Sequence, residues 1–290
     1  MNVIITGVGG FIGSNLAQEF LSRGNLVLGV YRNTIPKLSH PNLELLRDAD
    51  LDQSLALDAY KLIIDCAAEI PAMTSDESKL YINNVFNVKK ILNLASKYQI
   101  KKIIYMSSMS AYGDINCKTV TSSTKDQVRD FYGKSKADSE DLIRIWCQED
   151  LGRTAFSIRL PGIVGKDSHN NFISNLYKKI RKETRIKVFN RDSKFNNIVF
   201  ITTLIEFIVK LTINQSTGFH NLLVASKSPI TIEAIVKKMM RTLNRKPIIE
   251  WGVLGQSFLI DYSESEKFGF KPIDTEESIS KFLLGNDEDI

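Results

Sequence analysis

The sequence predicts an α/β fold in which a doubly wound parallel sheet carries a smaller C-terminal lobe. Three observations support this prediction. Apolar runs alternate with helical patterns through the first 160 residues, several runs are continuous in Val, Ile and Leu, and the first run ends in a glycine-rich turn. Continuous apolar runs are typical of parallel strands buried on both faces. Their alternation with helices implies right-handed crossovers, which place helices on both sides of the sheet.

The first turn combines a strand, three spaced glycines and a helix. The apolar run 3–5 is followed by Gly7, Gly10 and Gly13, and then by a helix-like segment at 14–22. Such a turn directs backbone N–H groups and the positive end of a helix dipole at one place, which suits a pyrophosphate. We expect Gly7 to make the turn, Gly10 to let the backbone approach the phosphates, and Gly13 to let the helix pack on the strand.

The other elements follow in order through the first 160 residues. Strands are predicted at 2–6, 26–31, 43–46, 62–66, 102–107 and 154–160. Helices are predicted at 12–22, 53–59, 79–98 and 130–150. A ligand of such a sheet is expected at the carboxyl ends of its strands.

The alternation ends near residue 160, which sets the predicted domain boundary. We expect a Rossmann-like nucleotide-binding domain at 1–160 and a smaller substrate-binding lobe at 161–290. The two are expected to be partly interleaved, because a segment near 198–225 is predicted to return to the main sheet. The polar and basic segment 166–197 is predicted to be an insertion over the sheet. Helices are predicted at 203–214 and 231–244, and short strands at 219–224 and 247–251.

Composition narrows the function classes. The 290 residues are 43% hydrophobic and carry a modest net charge of +5, which supports a full core. Nothing resembles a nucleic-acid-binding module, and no apolar run reaches the ~18–20 residues of a membrane span, so neither partner is expected. Cys66, Cys117 and Cys147 are expected to be reduced thiols, and three scattered histidines predict no metal site. With a strand at the start of the chain in place of a leader, a cytoplasmic location is expected.

Tyr132 and Lys136 lie near the start of the helix predicted at 130–150. Their i, i+4 spacing places both on one helical face, although this spacing alone is common. A phenol with a pKa of about 10 is a poor acid or base at neutral pH, and a neighbouring cation favours the phenolate. Ser108 follows the strand 102–107 and can hold a substrate oxygen while Tyr132 exchanges its proton. The alternative for Ser108 is an ordinary turn serine.

Taken in order, these motifs resemble the extended short-chain dehydrogenases/reductases, in the branch of nucleotide-sugar epimerases, reductases and dehydratases. The matching segments run over most of the chain: TGxxGxxG at 6–13, DCAA at 65–68, NV at 84–85, MSS at 106–108 with YG at 112–113, YxxxK at 132–136, RLPGIVG at 159–165, and DYS at 261–263 with FGFKP at 268–272. The resemblance implies that an NAD(P)-dependent enzyme acts on a small-molecule substrate, a nucleotide sugar.

The resemblance also implies roles for individual residues. Ser108 takes the position of the catalytic hydroxyl and Tyr132 that of the acid/base. Lys136 is expected to lower the pKa of Tyr132 and to hold the nicotinamide ribose. The remaining cofactor-binding residues that we expect are Gly7, Gly10, Phe11, Ile12, Gly13, Ala67 and Ala68, together with Asp48, or Asp50, at the adenine.

The end of the second strand bears on the choice of cofactor. In NAD-binding relatives an acidic residue there accepts hydrogen bonds from the ribose hydroxyls. Here Arg32 and Asn33 follow the strand 26–31. Arg32 can pair with a 2′-phosphate, which a carboxylate would repel. The sequence therefore favours NADP(H), with NAD(H) possible, unless Arg32 is merely a loop residue.

Three functional hypotheses remain open. Met109 and Ser110 stand where family dehydratases carry an Asp-Glu pair, and Met109 also replaces the Cys of a 3,5-epimerising reductase, so both reactions are disfavoured. Reduction of a 4-keto nucleotide sugar, with hydride from NADPH and Tyr132 as proton donor, is favoured by Arg32. A 4-epimerase with tightly bound NAD is the first alternative. A non-catalytic NADP-binding sensor or scaffold is the second, although such proteins commonly lose the Tyr or the Lys.

The substrate half departs from the family pattern in three places. Pro161-Gly162, Asn196-Asn197 and the segment 201–203 replace family residues there. Basic residues between 178 and 191 either form solvated helix faces or supply replacement charge for an anionic substrate. The polar character of this region disfavours an apolar ketone as substrate. A homodimer through the helices 79–98 and 130–150 is possible, as in relatives.

Overall fold

The computed structural model describes residues 1–33, 35–51, 57–71, 73–74, 76–128, 130–183 and 185–286. The strands are β1 (Val3–Thr6), β2 (Val27–Tyr31), β3 (Leu43–Arg47), β4 (Leu62–Asp65), β5 (Lys102–Ser108), β6 (Thr119–Val120), β7 (Thr154–Leu160), β8 (Gly162–Val164), β9 (Ile186–Phe189), β10 (Lys194–Phe195), β11 (Ile198–Phe200), β12 (Gly218–Leu223), β13 (Ile230–Thr231), β14 (Ile249–Gly252) and β15 (Leu259–Ile260). The helices are α1 (Phe11–Ser22), α2 (Glu77–Lys97), α3 (Phe131–Gln148), α4 (Phe172–Arg181), α5 (Ile201–Ile213), α6 (Ile232–Thr242), α7 (Ser263–Lys267) and α8 (Thr275–Asn286). The helix predicted at 53–59 falls mainly outside the described residues.

A seven-stranded sheet with the order β12-β7-β5-β4-β1-β2-β3 confirms the predicted fold class. The ladders that join β3, β2, β1, β4 and β5 are parallel. β1 lies between β2 and β4, so that Thr6 is opposite both Val30 and Asp65. Every residue of β1 and β4 is buried, which accounts for their continuous apolar runs.

The chain divides into two compact units that alternate along the sequence. The first consists of Met1–Asp114, Lys125–Arg159 and Ile208–Leu222, and it contains most of the sheet. The second takes up the segments Ile115–Thr124 and Leu160–Phe207 and the chain beyond Leu222. β12 lies within the segment 198–225 and is an edge strand of the main sheet, because the chain returns to the first unit after residue 207.

The second unit has an apolar core of its own. Buried side chains of α4, α6 and α8 pack together with those of β9. The segment 166–197 is therefore more than a polar insertion, since it contains α4, β9 and β10. The apolar side chains of α4, Ile173, Leu176, Tyr177 and Ile180, follow helical spacing and are buried, whereas one asparagine and two lysines between them are exposed.

The helices α2 and α3 cover the sheet beside β4 and β5. Val88, Ile91 and Ala95 of α2 share one core cluster with Ile143 and Trp146 of α3. This packing fixes α3 along the sheet, with its N-terminal turn near the carboxyl end of β5. No helix of the described chain combines the length and the apolar character needed to cross a membrane.

Candidate active site

The glycine turn packs tightly against the strand next to β1. Gly7 has a φ of +63°, a conformation that glycine adopts readily. A Cβ on Gly7 would lie 2.8 Å from the carbonyl carbon of Cys66, and a Cβ on Gly13 would lie 2.3 Å from the carbonyl oxygen of Gly7. Gly7 therefore makes the turn as expected. Gly13, which we expected to pack on the strand, brings α1 against the turn itself.

The N-terminus of α1 presents backbone donors without a side-chain cap. Gly10 is the N-cap residue and supplies no side-chain acceptor, and Gly9 and Gly10 are exposed. By contrast, α2, α3, α4 and α6 are capped by the side chains of Asp76, Asp130, Asn171 and Thr231 respectively. N–H groups in the first turn of a helix need an acceptor from outside the helix. The exposed glycine turn followed by a helix N-terminus fits the pyrophosphate of a dinucleotide.

The end of β4 is fixed to β1 by a buried carboxylate. Asp65 is 2% exposed, and it accepts hydrogen bonds from the hydroxyl of Thr6 and from the backbone N–H of Ala67, the latter at 3.2 Å. The amide of Asn87 donates to the same carboxylate at 3.3 Å. Burial raises the pKa of Asp65 above its ordinary value, and the hydrogen bond from Thr6 opposes this shift. Ala67 and Ala68 are thereby held next to the glycine turn.

The hydroxyls of Ser108 and Tyr132 lie close enough for Ser108 to affect the pKa of Tyr132. Ser108 is the last residue of β5, and its Oγ also accepts the backbone N–H of Ser110 at 3.1 Å. Burial raises the pKa of Tyr132, the hydrogen bond with Ser108 lowers it, and the charge of Asp130 raises it further. The two candidate catalytic hydroxyls therefore meet at the carboxyl end of the sheet.

Lys136 lies beneath this pair with its side chain buried. It is 2% exposed, and its Nζ donates to the carbonyl oxygen of Met106 at 2.8 Å. The same nitrogen lies 4.7 Å from the ring centroid of Tyr105 and 5.9 Å from that of Tyr132. Burial lowers the pKa of Lys136 to about 8, while the charge of Asp65 raises it. The cation thus lies near Tyr132 as expected, but in this geometry the hydrogen bond that lowers the pKa of Tyr132 comes from Ser108.

Gly133 is a positioning residue that the sequence reasoning missed. A Cβ at this position would lie 2.2 Å from the carbonyl oxygen of Ser110, so only glycine lets α3 approach the turn after β5 this closely. Asp130 caps the same helix by accepting the N–H of Gly133 at 2.7 Å. A glycine near the start of a helical pattern was the feature of the sequence that could have indicated this close approach.

A buried ionic network includes Ser107, the neighbour of Ser108 in β5. Arg159 binds Glu140 at 2.6 Å and Asp126 at 2.7 Å, and Glu140 also accepts the hydroxyls of Ser107 and Ser157. These residues join β5, β7 and α3 in one network. Charged residues within an apolar strand and on a helix could have indicated it.

The residues expected at the adenosine end already have ionic partners. The guanidinium of Arg32 binds the carboxylate of Glu69 at 2.5 Å. The carboxylate of Asp48 lies 3.4 Å from the ammonium of Lys90, which also donates to the backbone carbonyl of Asp48. Glu69, which follows β4, was not among the expected cofactor residues. Its contact with Arg32 spans 37 positions and leaves no local signal.

Metal ligands do not come together anywhere in the described chain. Among those residues, no group of three or more His, Cys, Asp or Glu side chains is arranged to hold an ion.

Comparison with known families shows to which family the chain belongs. The sequence profile of the NAD dependent epimerase/dehydratase family matches residues 3–222. The chain belongs to this family. The resemblance predicted from the motifs is thereby confirmed, and the protein is an enzyme of the NAD(P)-dependent short-chain dehydrogenase/reductase type.

Similar proteins include both epimerases and reductases. The chain is 23% identical over 249 residues to the N-acetyl-alpha-D-glucosaminyl-diphospho-ditrans,octacis-undecaprenol 4-epimerase of Escherichia coli O157:H7, covering 84% of this chain and 73% of that protein. It is 24% identical over 302 residues to a dTDP-4-dehydro-6-deoxy-D-allose reductase of Streptomyces sp, covering 93% and 91% respectively. The solved structure of MoeE5 in complex with UDP-glucose and NAD superposes with a TM-score of 0.83 at 19% identity, covering 100% of this chain and 99% of that one. At this identity, the structural likeness shows the fold.

Proposed function

We propose that the protein carries out oxidation and reduction at C4 of a nucleotide-linked hexose. The observation that carries the proposal is the proximity of the Ser108 and Tyr132 hydroxyls, with the ammonium of Lys136 5.9 Å from the ring centroid of Tyr132, at the edge of the sheet that also bears the glycine turn. When bound, a nicotinamide cofactor accepts or supplies the hydride. The protein supplies proton transfer and orientation.

The two hydroxyl side chains divide this work. Ser108 holds the sugar oxygen in line, and Tyr132 gives a proton to that oxygen or takes one from it. Because burial raises its pKa, Tyr132 is protonated at neutral pH and ready to act as a donor. In the opposite direction it must lose its proton, and the nearby ammonium of Lys136 stabilises the phenolate.

We propose 4-epimerisation as the reaction. Preference for a reductase depended on Arg32 as a ligand of NADPH, and Arg32 is ion-paired with Glu69. The similarity to the Escherichia coli 4-epimerase also supports this choice. Reduction of a 4-keto nucleotide sugar is the second candidate, since the similarity to the Streptomyces reductase extends over 93% of the chain.

Substrates named for similar proteins provide a panel for testing the reaction. The purified protein is incubated with UDP-glucose, UDP-glucuronic acid and a polyprenyl diphosphate-linked N-acetylglucosamine, and products are identified by NMR. A dTDP-4-keto-6-deoxyhexose with NADH or NADPH tests the second candidate. We expect the C4 epimer of at least one sugar and no net consumption of reduced cofactor.

Removal of the Tyr132 hydroxyl tests the residue assignment. We expect Tyr132→Phe to lower turnover by about 10²–10⁴-fold, because proton transfer is lost, while cofactor binding stays nearly unchanged. Tyr98→Phe, which removes the hydroxyl of the residue at the end of α2, is the matched control, and we expect it to retain wild-type turnover. Near-normal turnover by Tyr132→Phe would exclude the proposed role.

We further propose a homodimer through α2 and α3. Ile82 and Phe86 lie one turn apart on α2 and are 61% and 65% exposed, and Ile145 of α3 is 54% exposed. Exposed apolar side chains on neighbouring helices are typical of an association surface. We expect a dimer in sedimentation velocity for the wild type and a monomer for Phe86→Lys.

A cytoplasmic location of the protein also stays a prediction.

A further inference from the structure

The ion pair between Arg32 and Glu69, here called the strap, joins the segments that follow β2 and β4. Arg32 directly follows β2 and Glu69 follows β4, and these two strands flank β1 in the sheet. All three strands are parallel, so their carboxyl ends lie at one edge. The 2.5 Å contact between the two side chains therefore joins the segments on either side of the end of β1, after which Gly7 begins the turn.

Glu69 is the fixed member of the strap. Its carboxylate accepts a hydrogen bond from the amide of Asn83 at 3.0 Å. Its backbone is clamped by Asn84, which accepts the N–H at 2.8 Å and donates to the carbonyl at 3.0 Å. The Asn84 amide also donates to Ser135, next to Lys136, at 3.1 Å. The Glu69 side chain is 18% exposed and that of Arg32 is 43% exposed, so Arg32 is the freer partner.

The strap changes the electrostatic environment of a ribose bound beyond the end of β2. A 2′-phosphate is bound well by an arginine whose donors are available, whereas Arg32 already binds a carboxylate. A phosphate placed here would also approach Glu69, and two anions repel each other strongly where water is partly excluded. Arg47 lies nearby, with its Nε 3.4 Å from the carbonyl oxygen of Arg32, and is the other cation to be tested.

We propose that Glu69 makes this protein select NAD(H) over NADP(H). Its carboxylate, supplied from the end of β4, neutralises Arg32 and repels a 2′-phosphate. It thereby replaces the acidic residue that the end of β2 lacks in this chain. The inference rests on the proposed function only in taking the ligand to be a nicotinamide dinucleotide.

Binding measurements on single variants test the role of Glu69. NADH and NADPH are titrated by nicotinamide fluorescence, after co-purified nucleotide has been removed, and no sugar is present. We expect the wild type to bind NADH more tightly than NADPH. Glu69→Gln should strengthen NADPH binding by about tenfold and change NADH binding by less than about threefold, because a partly exposed like-charge contact is removed.

Opposite changes in NADPH affinity, on substitution of Glu69 and of Arg32, distinguish this role from a structural one. Arg32→Gln leaves the Glu69 charge unopposed, so NADPH binding should weaken further. Glu19→Gln is the control, since it breaks an exposed ion pair with Arg23 on α1. Glu69→Asp, which retains the charge, should keep the preference for NADH and serves if Glu69→Gln does not fold. Higher ionic strength should reduce the preference, because Arg32 is exposed.

Three results would overturn the inference. They are tighter binding of NADPH than NADH by the wild type, an unchanged ratio of the two affinities in Glu69→Gln, and strong NADPH binding that is lost in Arg47→Gln. Failure of the C4 reaction in the sugar panel leaves these binding ratios untouched. A changed ratio, in turn, leaves the role of Tyr132 untouched, so the two proposals fail independently.

Discussion

At the scale of single residues, the site depends on ionisable groups buried close together. The i, i+4 spacing was sufficient to predict that Tyr132 and Lys136 share a helical face. It could not reveal that Lys136 is 2% exposed or that its ammonium binds the carbonyl of Met106, since both depend on how α3 packs against β5. Burial then raises the pKa of Tyr132 and lowers that of Lys136, and both shifts favour the neutral form of the side chain.

The buried ammonium of Lys136 predicts a stability change with pH. Its pKa falls from 10.5 to about 8 in the folded protein, so below pH 8 the fold bears the cost of a buried charge. Between about pH 8 and 10.5 the folded state has lost this proton while the unfolded state keeps it, so wild-type stability rises with pH. The free energy of unfolding of Lys136→Met, compared with that of the wild type, should therefore be most favourable below pH 8. This difference should shrink by about 2–3 kcal/mol towards pH 10.5.

Chemical denaturation across this pH range measures the effect. Lys134→Met is the control on the same helix, because the Lys134 side chain is 57% exposed and its loss removes no buried charge. A difference between Lys136→Met and wild type that stays constant across this pH range would show that the ammonium of Lys136 is not buried as described. Lys136→Met should also lose turnover, because the phenolate of Tyr132 loses its stabilising charge.

At the scale of elements, the glycine turn was the most predictable part of the structure. Its requirements are local, since a strand, a positive φ at Gly7 and a helix start all occur within thirteen residues. Gly133 has the same kind of role at the start of α3, yet its partner is the carbonyl of Ser110, in another element. Sequence spacing identifies glycines that make turns more readily than glycines that admit a neighbouring backbone.

Gly13→Ala tests whether close backbone contact fixes the turn. A Cβ there would lie 2.3 Å from the carbonyl oxygen of Gly7, and neither backbone can move away alone. We expect the free energy of unfolding to fall by about 2–4 kcal/mol and NADH binding to be lost. Gly152→Ala is the control, because its Cβ would meet only the flexible ends of Lys101 and Asp150. Wild-type NADH affinity in Gly13→Ala would contradict the packing described.

At the scale of the whole molecule, the sheet was predictable and the second unit much less so. Alternating strands and helices specify the order of a doubly wound sheet, because right-handed crossovers leave few alternatives. In the second unit the lysines and the asparagine of α4 obscured its apolar stripe of Ile173, Leu176 and Ile180. The strap joins two segments 37 positions apart, so only the folded chain brings Arg32 to Glu69.

The hydrogen on C4 of the sugar gives the most direct test of the proposed reaction. The purified protein, with its cofactor, is incubated with UDP-hexose deuterated at C4, and both C4 epimers are examined by NMR and mass spectrometry. Retention of deuterium at C4 in both epimers, with interconversion lost in Tyr132→Phe, is the result that we predict. Interconversion that loses the deuterium, or that persists in Tyr132→Phe, would contradict hydride transfer at C4 with Tyr132 as the proton-transfer group.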